Sequence, residues 1–215
     1  MRVLVACEYS GRTRQAFADR GHDVISCDLL PAEDNSPDHV VGDVFDVIRD
    51  HGPFDLMIAH PPCTYLANSG VRWLHQGLTA DRAARWANMR AGAQFFADLF
   101  AAPIPKIAVE NPVMHGYGRE TIMANLSKHH GMDLPKTHFV QPYWFGDPAF
   151  KATGFTLKGL QPLSKPPTAL VPPKPGTDAH KAWSAIHRAS PGPDRWKERS
   201  RTFPGIARAM AETWG

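Results

Sequence analysis

The residues best suited to chemistry in this chain are Cys63, in His60-Pro61-Pro62-Cys63, and Glu110, 47 positions further on in Val109-Glu110-Asn111-Pro112. A cysteine thiolate is a strong nucleophile near neutral pH. A carboxyl group whose pKa is held up by burial can deliver a proton. Each residue follows an apolar run with the length of a buried strand, residues 54–59 for the first and 104–109 for the second. If both runs lie in one sheet, a nucleophile and a proton donor emerge at the same edge. The competing reading of Cys63 is a buried structural thiol, common for this residue type. Two preceding prolines, a strand end and the following loop Thr64-Tyr65-Leu66-Ala67-Asn68-Ser69-Gly70 favour the nucleophile. For Glu110 the alternative is a surface carboxylate, but its flank Ile107-Ala108-Val109 argues for partial burial.

The elements that must hold these groups alternate along the first half. Residues 3–7 form a short apolar run, followed by the polar turn Glu8-Tyr9-Ser10-Gly11 and a helical stretch over 12–20 that stops at Gly21. A second strand covers 22–27 and ends in Asp28, and Val40-Val41 before Gly42-Asp43 marks a third. Residues 44–50 read as a short helix closed by His51-Gly52-Pro53. The longest helical pattern spans 79–102, with Ala83, Trp86, Met89, Ala93, Phe96 and Phe100 at steps of three or four. Thr79 is its expected N-cap and Pro103 marks its end. Residues 136–145 and 153–160 read as further strands, and 203–214 as a helix that packs back on the body. Strands separated by helices imply an α/β fold, a mostly parallel sheet with helices on both faces. Such sheets bind ligands beyond the carboxyl ends of their strands, where these motifs fall.

The order and spacing of Pro61-Pro62-Cys63 and Glu110-Asn111-Pro112 resemble the DNA (cytosine-5)-methyltransferase family, and in particular compact bacteriophage-type members without a large target-recognition domain. The resemblance implies a Rossmann-like methyltransferase fold and S-adenosylmethionine as cofactor. It makes Cys63, Glu110 and Asn111 the catalytic group. The turn Cys7-Glu8-Tyr9-Ser10-Gly11 stands in the place of the family's glycine-rich cofactor loop, although Glu8 and Ser10 occupy positions where glycines are expected. Asp28 with Leu29 matches the ribose-binding position, Asp43 with Val44 the one near the adenine amino group, and Pro61 completes the cofactor set. The resemblance places Pro62, Asn68, Ser69 and Pro112 against the substrate. Lys151, Thr153 and Lys158 fall where the family has its substrate-clamping strand, without its arginines. The ending from Ser200 to Ala211 resembles the family's last motif. The implied division is a catalytic core over 1–160, a proline-rich basic insertion over 161–199 and a terminal helix over 200–215.

Composition sets the remaining bounds. The 215 residues are 43% hydrophobic and 21% charged, ordinary for a globular protein. No apolar run approaches a membrane span, the N-terminus has no signal-peptide layout, and three cysteines fit a reducing compartment, so a cytoplasmic location is expected, which the resemblance places in a bacterium or phage-infected host. No Cys/His spacing suggests a metal site. Residues 1–150 carry 13 Lys and Arg against 17 Asp and Glu, whereas residues 151–215 carry 11 against 4. A basic segment on an acidic body suggests a polyanionic partner, either nucleic acid or a nucleotide phosphate, and the resemblance narrows this to DNA or a pyrimidine deoxynucleotide. Between 162 and 175 stand six prolines, which predict an extended loop. Lys165, Lys174, Lys181, Arg188, Arg195 and Lys197 are candidate phosphate contacts there. Trp183 and Trp196 suit packing better than base stacking.

Three other functions compete. A pyrimidine deoxynucleotide enzyme would use the same cysteine, possibly with a folate one-carbon donor. Amino methylation uses Asp/Asn/Ser-Pro-Pro-aromatic, which His60-Pro61-Pro62-Cys63 nearly matches, but it gives Glu110-Asn111-Pro112 no role. A non-catalytic nucleic-acid-binding protein would explain the lost glycines, but not an intact Cys63 and Glu110.

Overall fold

The computed structural model describes residues 1–77, 79–188 and 200–215. Its strands are β1 (Arg2–Ala6), β2 (Asp23–Asp28), β3 (His39–Val41), β4 (Leu56–Ala59), β5 (Lys106–Asn111), β6 (His138–Val140) and β7 (Thr153–Lys158). They form one sheet in the order β3-β2-β1-β4-β5-β7-β6. The pairs among β1 to β5 are parallel, and β7 runs antiparallel to both neighbours. The fold is therefore a Rossmann-like α/β fold, as the alternating strands and helices predict.

Alternation along each strand builds two cores. Leu4, Ala6, Met57, Ala59, Ile107 and Val109 point to one face. They meet α2 (Val44–His51), α3 (Thr79–Ala101) and α4 (Gly116–Asn125) through Val47, Phe96, Phe100 and Ile122. Val3, Val5, Leu56, Ile58 and Ala108 point to the other. There they meet α1 (Arg12–Ala18) and α7 (Pro204–Trp214) through Phe17, Ile206, Met210 and Trp214.

Two expectations change. The predicted strand over 136–145 shrinks to β6, and Pro142–Phe145 forms a 3-10 turn. Pro142 has no N–H to give a ladder. On α3 the apolar stripe starts late: Ala83 is exposed, Trp86 half-buried, and continuous burial begins at Met89. In the first turns of α3 the contacts are to the loop side instead: Trp86 packs on His75 and Tyr117, and Arg85 lies over the Tyr65 ring.

Of the proline-rich insertion, residues 161–177 hold no helix or strand, and the short helices α5 (Asp178–Trp183) and α6 (Ala185–Arg188) follow. Trp183 is a packing anchor, its ring 6.0 Å from Tyr143 and 5.4 Å from Phe150. Arg195, Trp196 and Lys197 lie outside the described residues.

Gly154 shows how tightly β7 is wedged between its neighbours. It pairs with Asn111 on β5 and Phe139 on β6. A Cβ there would stand 2.7 Å from the Thr137 methyl, 2.8 Å from the Asn111 carbonyl oxygen and 2.8 Å from the Phe139 ring. Gly154→Ala should therefore cost about 1–3 kcal/mol of stability by overpacking. Denaturant unfolding measures it, and an unchanged midpoint would contradict this packing.

Candidate active site

β4 and β5 are parallel neighbours in register Ala59↔Val109, so the residues that follow them leave the sheet at one edge. Leu56 and Ile58 point to the α1/α7 face, and so does His60 two residues on; Ala108 and Glu110 follow the same rule on β5. The two side chains meet: His60 Nδ1 lies 2.6 Å from Glu110 Oε2. His60 Nε2 lies 3.4 Å from the Thr13 hydroxyl on α1. Both side chains are largely buried, 7% exposed for His60 and 17% for Glu110. Lys151, Thr153, Thr202, Phe203 and Ile206 complete the surrounding crevice, which is too narrow for a water molecule.

The electrostatics differ from the expectation of a carboxyl kept protonated by burial. Burial does push the Glu110 pKa up, but Lys151 and the His60 hydrogen bond outweigh it and hold the carboxyl below its ordinary value. Burial pushes the His60 pKa down, but the Glu110 bond and charge, helped by Glu8, outweigh that and raise it. Both shifts favour an imidazolium facing a carboxylate.

A pH dependence of stability follows. The raised imidazole stabilises the fold fully below its ordinary pKa of 6.5, and that contribution is lost as pH rises through the raised value. The lowered carboxyl stabilises it fully above its ordinary pKa of 4.5, and that contribution is lost as pH falls through the lowered value. The stability lost in His60→Gln should thus be largest between about pH 4.5 and 6.5 and shrink on both sides. Thermal unfolding of both proteins across pH checks this; a difference that grows towards alkaline pH would contradict it.

Cys63 is exposed in the loop after β4. It stands three positions after His60, which bounds their Cα separation at about 11 Å. The Cys63 carbonyl accepts from the N–H groups of Leu66 and Ala67, which closes a turn. This loop is laced to the segment after Glu110. Asn68 N–H donates to Val113 O, His115 N–H to Leu66 O, and Ala67 bridges Met114. The His115 ring lies 2.8 Å from the Tyr65 carbonyl oxygen. Pro61 is buried, whereas Pro62, Asn68 and Ser69 are exposed and Pro112 is half-buried.

Asn111 is buried beside Glu110, with its amide donating to Pro112 O and its oxygen accepting from the Thr156 hydroxyl. Its polar atoms therefore fix the strand end. Lys151 lines the crevice with its ammonium 6.0 Å from the Phe203 ring centroid, and Thr153 donates to Lys151 O. Lys158 does not join them. Antiparallel β7 pairs it with Ile107 at the far end of β5, where its ammonium binds Ala102 O.

The turn after β1 has its own construction. Cys7 and Gly11 take left-handed backbone, with φ of 57° and 70°. The Glu8 carboxylate is buried and accepts from the N–H groups of Thr13 and Arg14 at the start of α1, and from the Ser10 hydroxyl. Thus Glu8 and Ser10 tie the turn to the helix by hydrogen bonds. Gly11 is required: a Cβ would stand 2.6 Å from Asp34 Oδ2 and 2.7 Å from Arg14 Nη2, which are themselves ion-paired. Tyr9 is buried, its hydroxyl 3.4 Å from Ser200 Oγ. Asp28, at the end of β2, accepts from Leu30 N–H, and burial raises its pKa. Leu29 beside it is 77% exposed. Asp43 caps α2 through Phe45 N–H, and Val44 is buried. Cys27 is a core thiol whose pKa burial pushes up to about 11, and burial raises that of Cys7 further.

His60 is the member of this site that the sequence reading did not weigh as functional. Its signal was available: it stands one position past the fully buried β4, on the same alternating face as Glu110 near the end of β5. Among the described residues, no group of three or more His, Cys, Asp or Glu could hold a metal ion, and no helix is long and apolar enough to cross a membrane.

No family model and no curated protein matches the chain. Similar solved structures include a prophage-encoded protein of E. coli, titled a DNA modification methyltransferase, at 15% identity and TM-score 0.47, covering 73% of this chain and 46% of that one. The Entamoeba histolytica methyltransferase EhMeth is also 15% identical, with TM-score 0.48, covering 76% and 54%. The S. pombe Dnmt2 methyltransferase is 14% identical, with TM-score 0.43, covering 75% and 51%. The chain thus spans about half the length of the structures it matches.

Proposed function

We propose that the chain transfers a methyl group from S-adenosylmethionine to carbon 5 of cytosine in DNA, through a covalent adduct with Cys63. The supporting observation is the meeting of the Cys63 loop and Glu110 at the ends of adjacent parallel strands, with the two loops hydrogen-bonded to each other.

An adenosyl group suits the neighbouring edge. The Asp28 carboxylate keeps lone pairs for ribose hydroxyls, exposed Leu29 offers an apolar surface to a flat base, and Asp43 stands at the start of α2. When bound, the cofactor supplies an electrophilic methyl group. The residues of the chain do the rest. The Cys63 thiolate adds to carbon 6 of the base, forming a C–S bond and opening the 5,6 double bond. Glu110 delivers a proton to ring nitrogen 3, where negative charge would otherwise build up. Carbon 5, now electron-rich, takes the methyl. Loss of the carbon 5 proton to a base then re-forms the double bond, and the thiolate leaves.

DNA is favoured by an aromatic and cationic surface beside the Cys63 loop. Arg72 lies over the exposed Trp73, 4.6 Å from its ring centroid, next to an open groove lined by Gln76, Asp81 and Arg85. Such surfaces stack bases.

The test is methyl transfer to duplex DNA, single-stranded DNA and dCMP, with 5-fluorocytosine in each as a trap. Fluorine at carbon 5 cannot leave as a proton, so the adduct should accumulate on the peptide holding Cys63 and appear by mass spectrometry. Activity on dCMP alone, or only with a reduced folate, moves the assignment to the free nucleotide. Methylated amino groups without an adduct would overturn it.

A further inference from the structure

The reaction proposed above needs a proton on Glu110, yet in the resting structure Glu110 faces a partner that keeps it ionised. We propose that His60 holds the proton Glu110 uses, so that the two side chains work as one proton-carrying unit and His60 acts through Glu110 as a positioning residue. This rests on the methyltransferase reading for its use, and on geometry for its existence.

The geometry is specific. The 2.6 Å Nδ1–Oε2 contact is short, as expected for a charge-assisted bond. Both groups are largely removed from solvent and in direct contact, so the proton has a direct path. The second ring nitrogen faces the Thr13 hydroxyl on α1, which can accept from a protonated ring. The charged groups acting on His60 come from three elements: Glu110 on β5, Glu8 in the turn after β1, and Lys151 just before β7. Two carboxylates against one ammonium favour the imidazolium.

The step balances. As nitrogen 3 gains electron density, the Nδ1–H bond breaks and an O–H bond forms on Glu110, leaving a neutral imidazole and a carboxylic acid. The carboxyl O–H then breaks as the N3–H bond forms. When the thiolate leaves, the proton returns from nitrogen 3 to Glu110 and from there to His60, and no other reactant is consumed. The arrangement resolves a conflict. A buried carboxyl beside Lys151 makes a poor store for a proton, and the neighbouring imidazole makes a good one.

The test has two arms. In protein with 15N-labelled histidine, the His60 ring signals are assigned by their loss in His60→Gln. They should show protons on both ring nitrogens through neutral pH, with a midpoint that falls by at least one pH unit in Glu110→Gln. A His60 ring that is neutral across the range in the wild type overturns the proposal, whether or not methyl transfer is found. The second arm is the pH profile of kcat/KM for His60→Asn, whose amide nitrogen can keep the hydrogen bond but carries no transferable proton. A loss of roughly 100-fold, with disappearance of the alkaline limb set by His60, supports the proposal. Wild-type rate and profile in His60→Asn overturn it. If the imidazolium is seen and no substrate is methylated, the methyltransferase reading falls and the shared proton stands.

Discussion

Cys63→Ser should lower methyl transfer by on the order of 10³-fold or more and leave S-adenosylmethionine binding unchanged. A serine hydroxyl stays protonated at neutral pH, whereas a cysteine is partly thiolate and far more nucleophilic in that form. The change removes no packing that matters, because Cys63 is exposed and its loop is held by the Cys63 carbonyl and by bonds from Asn68 and to Leu66. Adenosyl binding should survive, since the Asp28 and Leu29 edge belongs to β2 and the Cys63 loop to β4. Methyl transfer is counted by mass spectrometry of digested DNA, and cofactor affinity by calorimetry. Full activity in the serine variant would end the covalent mechanism, and loss of cofactor binding would show that the loop serves the adenosyl site.

Glu110→Gln should lower the rate by about 10²- to 10⁴-fold, the usual range for a lost general acid. The amide can hydrogen-bond to the base but cannot give it a proton. Its fold should persist: a neutral imidazole can donate from Nδ1 to the amide oxygen that replaces Oε2, so no buried charge is stranded. Single-turnover measurement with the 5-fluorocytosine trap separates the steps. If the adduct forms as fast as in the wild type while methylation fails, Glu110 acts after thiolate addition and not with it.

The centre of the parallel sheet was legible in the sequence because β1, β4 and β5 are largely buried and read as apolar runs. Leu56–Ala59 has all four residues buried. β6 and β7 were legible as strands but not in direction, and direction decides Lys158. Had β7 run parallel to β5, Lys158 would have reached the edge where Glu110 lies; antiparallel pairing sends it to the far end, and keeps Thr153 near the crevice. The turn after β1 was legible as a turn, but its polar residues Glu8 and Ser10 gave no sign of their use. That Glu8 satisfies the first N–H groups of α1 depends on a side chain folding back over five and six residues. His60 opens the tetrapeptide, where sequence alone weighs it only as a mismatch to the amino-methylation motif. Its partner lies 50 residues away, and only the register of β4 with β5 joins them.

The lacing between the two motif loops has a mechanical consequence. The bonds from Asn68 to Val113 and from His115 to Leu66, with the Ala67–Met114 bridge, make the arm bearing the thiol and the arm bearing the acid a single jaw. In the proposed reaction a planar base would need more room beside Glu110 than the crevice gives. The jaw cannot supply that room by parting its own arms, because the nucleophile and the acid would then lose their spacing. Clearance has to come from the facing side, where Thr202 and Phe203 lead into α7 and are held by the Arg12 bond to Thr202 O and the Gly205 bond to Asp147. Substrate entry and chemistry are thereby assigned to different pieces of chain: one that yields, and one that keeps its measure.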